Sequence, residues 1–388
     1  MVKTQNVKGF RDFVGEDALK RAKILKIIRE QFELYGFGPA ETPTVEYEEF
    51  VRGDNFDDEA VSEIFRLEDR GQRELALRYE FTFQLKRIAQ NQRLPFKRYQ
   101  IGNVFRDEPV SANRFREFTQ CDVDVVGSSV KDEVEVLSLA KRILDKLNID
   151  CVIYFNNRKL LNEILVSEGV EERDREQVIR ELDKLDKLSR KEVADNLKKI
   201  RAEKVLKVFE KGDFAKYKFY GEIKELKKLG KAYGLKLEFL PTLARGLSYY
   251  NGTIFEVKSK KMKETICGGG AYLVDDVQSF GFAFGIERVM NLSDVEGDVT
   301  QVQIVSIGED DAMIDLAGKL RDAGISVNVL MDKGIGKALE YANSKGIGKV
   351  VIVGKDEVAR GKFKVKDMRS GVENFLSEEK IIQSLRER

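Results

Sequence analysis

The C-terminal part of the chain shows the pattern that most restricts the fold, a regular alternation of strand and helix signals. Its short apolar runs, typical of buried strands, are QVQIVSIG, ISVNVL and KVVIVG. Between them lie two segments with helical spacing, DDAMIDLAGKLRDAG and GKALEYANSKG. A helix between two strands returns the chain to the same edge of a sheet, so the strands run parallel. Residues 300–388 are therefore predicted to form a small parallel-sheet α/β domain, preceded by a linker near NLSDVEGDV.

The preceding part is predicted to contain separate helices and a β-hairpin. Residues 17–36 and 131–147 have the spacing of amphipathic helices, and Gly36 is a suitable end for the first of them. RYQIGNVFRDEPVSANRFREFTQCDVDVVG, from Arg98, is predicted to form a strand, a loop and a second strand. A hairpin loop this long and this charged is expected to have a function of its own.

Two strand-like stretches place polar side chains on one face. In ALRYEFTFQLKR, the alternate polar residues are Arg78, Glu80, Thr82 and Gln84. The alternate aromatic residues are Tyr79, Phe81 and Phe83. In the second strand of the hairpin, one face carries Phe118, Gln120, Asp122 and Asp124. Together the two stretches predict a polar pocket, although the first stretch alone favours a half-exposed strand with a solvated polar face.

Residues 156–235 have a different composition and are predicted to be helical. Between Lys191 and Lys236 there are 14 Lys and Arg residues against 7 Asp and Glu residues. Such an excess is compatible with binding to a phosphate backbone, and equally with a solvated helix face. The sequence leaves these two alternatives open.

Three consecutive glycines occur in CGGGAYLVDDVQSFGFAFGIERVM, from Cys267. The spacing fits neither GxxxxGKS nor GxGxxG, so neither a P-loop nor a Rossmann turn is predicted. The glycines instead indicate a strand whose backbone is closely approached by another group.

The chain contains no histidine among its 388 residues. Catalysis by Ser-His-Asp or Cys-His pairs is therefore excluded. The lack of histidine, together with the lack of a C-x-x-C pair, also argues against a structural zinc site. Phosphoryl and nucleotidyl transfer remain open, because positioned arginines and metal ions carry much of that chemistry.

The broader composition is that of a globular, reduced protein. The formal net charge of +1 excludes a uniformly basic chain but not a local basic face. Three cysteines, Cys121, Cys151 and Cys267, are odd in number and far apart, which favours a cytoplasmic location over a disulfide framework. No apolar run approaches the ~20 residues that span a bilayer, and the N-terminus lacks the apolar core of a signal peptide.

Arg106, Arg245 and Arg288 stand beside glycines or aromatic strands, where an arginine more often has a ligand or a partner carboxylate than on an exposed helix. The surrounding motifs resemble those of class II aminoacyl-tRNA synthetases, and specifically of histidyl-tRNA synthetases. The resembling segments are GFRDF, FGPAETPTVEYEEF, LRYEFT, VFRDE with NRFREF, LARGLSYYNGTIFEV and GFAFGIERV. The resemblance covers nearly the whole chain, and its arginine-glycine-tyrosine-tyrosine signature is highly specific.

The resemblance implies an α+β fold made of three parts. These are a class II catalytic core with an antiparallel sheet at residues 1–155 and 236–295, a helical insertion at 156–235, and an α/β anticodon-binding domain at 300–388. It implies formation of histidyl-adenylate from L-histidine and ATP with Mg²⁺, followed by transfer to tRNA(His). It also implies a homodimer, because the first motif usually forms the dimer contact.

The resemblance also assigns roles in the nucleotide site. Arg106 is expected to hold the α-phosphate, and Arg245 to neutralise the charge that grows on it during attack. Arg288 is expected beside the adenine and the γ-phosphate, Arg114 at the γ-phosphate, and Phe118 against the adenine ring. Arg106 and Arg245 are thus the expected catalytic residues.

In the amino-acid site the resemblance assigns the ammonium group to Glu80, Thr82 and Gln120. It assigns the imidazole to Asp124 and Tyr250, with Tyr249 lining the pocket. A carboxylate suits an ammonium group, and Asp124 is able to accept the imidazole N–H. The substrate would bring its own nucleophilic carboxylate, so a chain without histidine is able to run this reaction.

Several positions depart from the family pattern. A proline is replaced by Tyr79, an aspartate by Ser248, and an arginine and an aspartate by Ala271 and Leu273. The loop PVSAN lacks the usual P-Q-x-G, which bears on the tRNA acceptor end. The alternative to an active ligase is a regulatory paralogue that binds histidine, resembling the regulatory subunit of ATP phosphoribosyltransferase.

Overall fold

The computed structural model describes residues 3–53, 63–111, 113–186, 188–244, 249–331 and 333–386. The described chain forms two compact units, Met1–Glu296 and Gly297–Arg388, divided within the segment NLSDVEGDV. None of the described helices combines the length and the apolarity that crossing a bilayer requires.

The strands of the first unit form an eight-stranded sheet and a smaller three-stranded sheet. The eight strands are β1 (Gly38–Pro39), β5 (Phe96–Phe105), β6 (Glu117–Val126), β7 (Val152–Asn157), β8 (Leu237–Phe239), β9 (Thr253–Ser259), β10 (Met262–Val274) and β11 (Val277–Gly285). The three strands are β2 (Val45–Tyr47), β3 (Arg66–Glu68) and β4 (Glu74–Leu77). The large sheet has the order β1-β5-β6-β11-β10-β9-β7-β8, and only its two edge pairs, β1–β5 and β7–β8, are parallel.

The helices of the first unit flank the large sheet and fill the segment between β7 and β8. They are α1 (Gly15–Leu34), α2 (Glu48–Arg52), α3 (Leu85–Ile88), α4 (Val130–Lys146), α5 (Arg158–Ser167), α6 (Glu172–Asp183), α7 (Arg190–Lys199), α8 (Lys204–Lys211), α9 (Tyr220–Ala232) and α10 (Ile286–Leu292). The two helices predicted at 17–36 and 131–147 are present within two residues of those bounds, as α1 and α4. Gly36 follows the end of α1 with φ +78°, a left-handed conformation that glycine adopts without strain.

The period of two along β6 divides the core from the pockets. Cys121, Val123 and Val125 are fully buried in the main hydrophobic core, together with side chains of α1 and α4. The intervening residues Gln120 and Asp122 line a pocket instead. The hairpin predicted from Arg98 is confirmed, since β5 and β6 pair antiparallel from Phe96–Val126 to Phe105–Glu117.

The strand predicted over ALRYEFTFQLKR is wrong beyond its first residues. β4 ends at Leu77, residues 78–84 are irregular, and α3 begins at Leu85. Arg78 donates hydrogen bonds to the carbonyls of Asn103 and Thr42, at 2.8 and 2.7 Å. The segment is buried on both sides and not exposed on one. Its hydrogen bonds to other segments take the place of the backbone pairing of a strand. The solvated-face alternative is therefore wrong as well.

The glycine run is the strand that the sequence predicts. Gly268, Gly269 and Gly270 lie in β10, between β9 and β11. A Cβ at Gly269 would lie 1.9 Å from the carbonyl oxygen of Gly281, and one at Gly270 would lie 2.6 Å from that of Thr253. The run therefore permits close contact with neighbouring backbone.

The helices between β7 and β8 belong to the first unit and bury their apolar faces within it. Leu161, Val178 and Leu197 share a hydrophobic cluster with Tyr250 and Ile254 of the pocket region. The division of this segment into a separate domain at 156–235 stays a prediction.

The second unit is an α/β layer with its own core. Its strands are β12 (Val302–Ile307), β13 (Val327–Leu330), β14 (Lys349–Gly354), β15 (Phe363–Asp367) and β16 (Glu373–Leu376). Its helices are α11 (Asp310–Asp322), α12 (Ile335–Ser344), α13 (Lys355–Arg360) and α14 (Glu378–Arg386). The predicted parallel strands are present as β13-β12-β14, but β15 and β16 add antiparallel strands that the sequence prediction missed, so the sheet is mixed.

Candidate active site

Two adjoining pockets open on one face of the large sheet, and β6 supplies residues to both. Phe118 lines the first pocket, Asp122 and Asp124 line the second, and Gln120 lines both. Residues two apart on a strand face are separated by about 7 Å. Strand β6 therefore forms a continuous floor from one pocket into the other, with Arg106 also lining both.

The first pocket, a cavity of about 160 Å³, gathers the arginines predicted for ATP. Arg106, Arg114 and Arg288 all line it. The Arg288 Nη1 donates to the carbonyl of Thr265 at 2.8 Å, and the Arg106 Nε donates to that of Tyr79 at 3.2 Å. These carbonyl bonds fix the two side chains while leaving further guanidinium N–H groups for a ligand.

The three guanidinium groups repel one another within this pocket. The pKa of Arg288 is lowered, mainly because the group is buried and then because of the positive charges of Arg114 and Arg106. Glu264 and Glu108 oppose this effect in part. A partly desolvated cluster of cations is stabilised by a polyanion, so the first pocket has the electrostatics of a phosphate site.

The loop between β5 and β6 places Arg114 in the first pocket. Ser111 and Arg114 bond each other through their backbones, and the Arg114 Nη1 lies 3.5 Å from Glu108 Oε2. The Phe118 ring also lines the pocket, and the Arg106 guanidinium carbon lies 5.2 Å from its centroid. The stacking of adenine on Phe118 stays a prediction, since Arg106 already contacts the ring.

An acidic group lies in the same pocket. Glu287 is 4% exposed and accepts hydrogen bonds on Oε1 from Arg21 Nη1 at 2.9 Å and from the backbone N–H of Thr119 at 3.2 Å. Its Oε2 has no hydrogen-bond partner among the described residues. A buried carboxylate oxygen without a partner is costly unless a ligand or a cation completes it.

The second pocket, about 80 Å³, contains every residue predicted for the amino acid. These are Glu80, Thr82, Gln120, Asp124, Tyr249 and Tyr250. The Tyr249 ring lies 4.7 Å from the Tyr250 ring and 5.6 Å from the Tyr272 ring, as measured between centroids. Burial raises the pKa of Tyr249 and of Tyr272 well above the usual range, so both hydroxyls are protonated donors.

Asp124 is held at the deep end of this pocket by two other side chains. Its Oδ2 lies 2.8 Å from Arg98 Nη2, and its Oδ1 accepts a hydrogen bond from the Tyr272 hydroxyl. Burial raises the pKa of Asp124, while Arg98 and the Tyr272 bond lower it. Gly281 packs against this carboxylate, because a Cβ there would lie 2.2 Å from Asp124 Oδ1.

Sequence reasoning missed three residues of the second pocket and its floor. Asp122 lies on the polar face recognised in β6 but was given no role, and Tyr272 follows the glycine run. Arg98 faces Asp124 across the hairpin register and is 1% exposed. The sequence analysis predicted the hairpin without a register, and it is the register of the two strands that pairs Arg98 with Asp124.

Arg245, an expected catalytic residue, and Ser248, one of the departures from the family pattern, lie outside the described residues. On their N-terminal side, Ala244 is buried and its N–H donates to Asp183 Oδ1 at 2.8 Å. On their C-terminal side, Tyr249 and Tyr250 line the second pocket. The role of Arg245 stays a prediction.

The chain is similar to known proteins in both sequence and structure. The histidyl-tRNA synthetase family model matches residues 9–289, and an anticodon binding domain model matches residues 301–388. Histidine–tRNA ligase 1 of Bacillus cereus is 34% identical, with 96% of this chain and 97% of that protein covered. The crystal structure of histidyl-tRNA synthetase from Nostoc has a TM-score of 0.89 and 26% identity, over 100% of both chains.

A second solved structure shares the fold. It is described as an ATP phosphoribosyltransferase regulatory subunit/histidyl-tRNA synthetase from Bacillus halodurans. It has a TM-score of 0.78 and 21% identity, and the match covers 91% of this chain and 100% of that one.

Proposed function

The chain belongs to the histidyl-tRNA synthetase family and is a histidine–tRNA ligase, and we propose that its two adjoining pockets form the active site. In this proposal ATP occupies the first pocket and L-histidine the second. The observation that carries the proposal is the shared wall. Arg106 and Gln120 line both pockets, so a carboxylate entering from one side meets a phosphate entering from the other.

Activation requires positioning and charge neutralisation more than proton transfer. The carboxylate of histidine attacks the α-phosphate of ATP, a P–O bond forms, and the bond to pyrophosphate breaks. Arg106 holds the α-phosphate at the junction, while Arg114 and Arg288 bind the outer phosphates. Arg245 is proposed to stabilise the charge on the α-phosphate during the attack.

Recognition of the amino acid falls to the second pocket. Glu80, Thr82 and Gln120 bind the ammonium group near the junction. Asp124 accepts an N–H of the imidazole at the deep end, where the ion pair with Arg98 opposes the rise in its pKa that burial causes. Tyr250 and Tyr249 close the pocket around the ring.

Magnesium is proposed to enter with ATP. The described residues contain no cluster of three or more Asp, Glu, Cys or His side chains placed to hold a metal ion. Mg²⁺ is usually held by one or two carboxylates together with substrate phosphates. Glu287, with its unpartnered Oε2, and Glu108 fit that requirement in the first pocket. When bound, Mg²⁺ would neutralise phosphate charge.

Transfer to tRNA(His) is proposed to use surfaces beyond the two pockets. The second unit matches an anticodon binding domain and is proposed to bind the anticodon. The apolar faces of α7 to α9 are buried through residues such as Val193, Leu197 and Leu226, and their lysines lie on the remaining faces. These lysines are proposed to contact the tRNA backbone, which predicts a strong salt dependence of charging.

A homodimer is proposed from the apolar face of the three-stranded sheet. Val45, Tyr47 and Leu67 are 43%, 52% and 41% exposed and lie on the same face by strand register. Clustered exposed apolar side chains often mark an association surface. A reducing, cytoplasmic location is also proposed, because the three cysteines are odd in number and far apart in sequence. A thiol assay on the denatured protein that found fewer than three free thiols would contradict it.

A purely regulatory role is not favoured. The curated relatives are named ligases over nearly their full length. Among the departures from the family pattern, Tyr79 still presents its carbonyl to Arg106 Nε. Leu273 is 47% exposed, on the rim of the sheet.

Histidine-dependent exchange of pyrophosphate into ATP tests the function. The wild-type protein is expected to catalyse exchange with Mg²⁺, and Arg106→Ala or Arg245→Ala to reduce the rate by roughly 10²–10³-fold, since each removes a positioned charge. Arg173→Ala is the matched control, because the side chain of that arginine is 78% exposed and pairs with Glu171 and Asp174, which line neither pocket. Absence of exchange in the wild-type protein over a range of Mg²⁺ concentrations would refute the proposal.

A further inference from the structure

A positive charge lies on the core-facing side of α1. Ile24, Ile28 and Phe32 of that helix are fully buried, and Arg21 precedes them at the same helical spacing. The Arg21 side chain is 15% exposed. A charged side chain on a buried helix face is normally paired, so the partners of Arg21 indicate what it does there.

Arg21 binds two groups on elements that form the first pocket. Its Nη1 donates to Glu287 Oε1 at 2.9 Å, and its Nη2 donates to the hydroxyl oxygen of Thr119. Glu287 Oε1 also accepts the backbone N–H of Thr119 at 3.2 Å. The three residues thus join three elements that are far apart in sequence, α1, α10 and β6.

The two elements that Arg21 joins carry residues of the first pocket. Glu287 directly precedes Arg288, and Thr119 directly follows Phe118. Helix α10 has seven residues, a length that is marginal for a helix by itself, so its position depends on contacts with other elements. A shift of α10 against β6 would therefore change the spacing between Arg288 and Phe118 across the pocket.

The guanidinium group of Arg21 is enclosed by an aromatic ring and a cavity. Its carbon atom lies 4.2 Å from the centroid of the Phe13 ring, a contact that stabilises a cation. Arg21, Phe13, Thr119 and Glu287 line a third cavity, of about 410 Å³, which shares Phe118 and Glu287 with the first pocket. Removal of the Arg21 side chain would leave a space that a free guanidinium ion fits, since the group removed is itself a guanidinium.

Resting on the proposed function, we propose that Arg21 is a positioning residue for the nucleotide. It holds Glu287 and Thr119, and through them it sets the spacing of Arg288 and Phe118, the residues expected at the γ-phosphate and the adenine. Arg21 itself lines neither the first nor the second pocket, so it acts on ATP through these neighbours.

The KM values in pyrophosphate exchange test the proposal. Arg21→Ala is expected to raise the KM for ATP about tenfold or more, because displaced binding groups weaken the nucleotide site. The KM for histidine is expected to change less than about twofold, because Glu287, Thr119 and Phe13 do not line the second pocket. An equal rise in both KM values would refute a role confined to the nucleotide.

Lys20→Ala is the matched control for this substitution. Lys20 is the neighbouring residue on α1, and its Nζ donates to the carbonyl of Ser293, just after α10, at 2.6 Å. It therefore also ties α1 to α10, but it lines neither the first nor the second pocket. Lys20→Ala is expected to leave both KM values within about twofold of the wild type. If it raises the KM for ATP as much as Arg21→Ala does, the effect comes from helix packing and the proposal is wrong.

Chemical rescue separates the loss of one group from a general change of structure. Guanidinium chloride, far below the concentrations that unfold the protein, is expected to lower the KM for ATP of Arg21→Ala towards the wild-type value. Sodium chloride at the same concentration is the salt control, and it is expected to have no such effect. A defect in Arg21→Ala that guanidinium does not reduce would contradict the proposal.

These outcomes are distinct from failure of the proposed function. A wild-type protein without histidine-dependent exchange refutes the function itself. A wild-type protein with exchange whose KM for ATP is insensitive to Arg21 refutes only this inference. If Arg21→Ala does not fold, as judged by circular dichroism, Arg21→Gln takes its place, because it keeps an N–H donor without the charge. Arg21→Gln is expected to raise the KM for ATP about fivefold or more, and an unchanged KM would refute the inference.

Discussion

At the scale of single residues, Gly281 shows how closely the second pocket is packed. It faces Asp124 across β11 and β6, and a Cβ there would lie 2.2 Å from Asp124 Oδ1 and 2.5 Å from the carbonyl of Val123. Asp124 is held in place because Arg98 and Tyr272 bind it. The carbonyl of Val123 is held because it belongs to the backbone of β6. The lack of a side chain at Gly281 therefore leaves the space that the Asp124 carboxylate occupies.

Gly281→Ala is expected to displace the Asp124 carboxylate and to reduce histidine-dependent exchange by about 10²-fold or more, with a loss of stability of roughly 1–3 kcal/mol from overpacking. Exchange kinetics and urea unfolding measure the two effects. Gly221→Ala is the control, since a Cβ in α9 at that position meets nothing within 4 Å. Unchanged kinetics in Gly281→Ala would show that the Asp124 carboxylate does not need this placement.

At the scale of elements, the period of two succeeded where strands belong to a ladder and failed where they do not. Along β6 it separates core residues from pocket residues, as the sequence predicts. Along residues 78–84 the same alternation occurs without a strand, because Arg78 is bonded to carbonyls of other segments. Glu80 and Thr82 still line the second pocket although the predicted strand is absent, and their role there stays a prediction.

The first turn of α4 contains Glu133, a carboxyl group whose raised pKa no sequence pattern indicates. Burial raises the pKa of Glu133 from 4.5 to about 7, with a hydrogen bond to Thr253 opposing, Glu222 adding to the shift and Lys159 opposing it. The folded protein thus binds a proton here that the unfolded chain has already released. The chain has no histidine, so a titration of the protein near neutral pH belongs to such a carboxyl group or to the α-amino group.

The stabilising effect of the Glu133 proton is fully present below about pH 4.5 and is lost as the pH rises through about 7. Relative to Glu133→Gln, the free energy of unfolding of the wild type is expected to fall by roughly 1–3 kcal/mol over this interval. Urea unfolding of both proteins at several pH values measures the difference. Parallel pH profiles would show that Glu133 titrates normally.

At the scale of the whole molecule, the two compact units have separate hydrophobic cores. The main cores of the first unit join its large sheet to α1, α4 and the helices after β7. The second unit buries Val302, Ile304 and Val351 among its own helices. The two pockets proposed for ATP and histidine are both lined by residues of the first unit.

The exposed apolar face of the three-stranded sheet gives a prediction about assembly. The wild type is expected to sediment with twice the mass of one chain, and Tyr47→Glu with Leu67→Glu to shift it to a monomer, because charges at an apolar interface are costly. Leu273→Glu is the control, an equally exposed leucine on β10. A monomeric wild type at micromolar concentration would refute the proposed dimer.

The sequence by itself determined the strands and helices that have a strong period, the fold class, and the residues of both pockets that sit in family motifs. These signals are local, since each depends on the spacing of residues along the chain. Spacing placed Glu80, Gln120 and Asp124 on polar faces, whereas their binding roles came from the resemblance to the family and stay predictions.

Only the tertiary structure decided which buried groups meet across strands. The pairing of Arg98 with Asp124, the ion pair of Arg21 with Glu287, the raised pKa of Glu133 and the antiparallel strands β15 and β16 all depend on contacts between distant segments. Desolvation and register are properties of the assembled core, and no spacing within one segment specifies them.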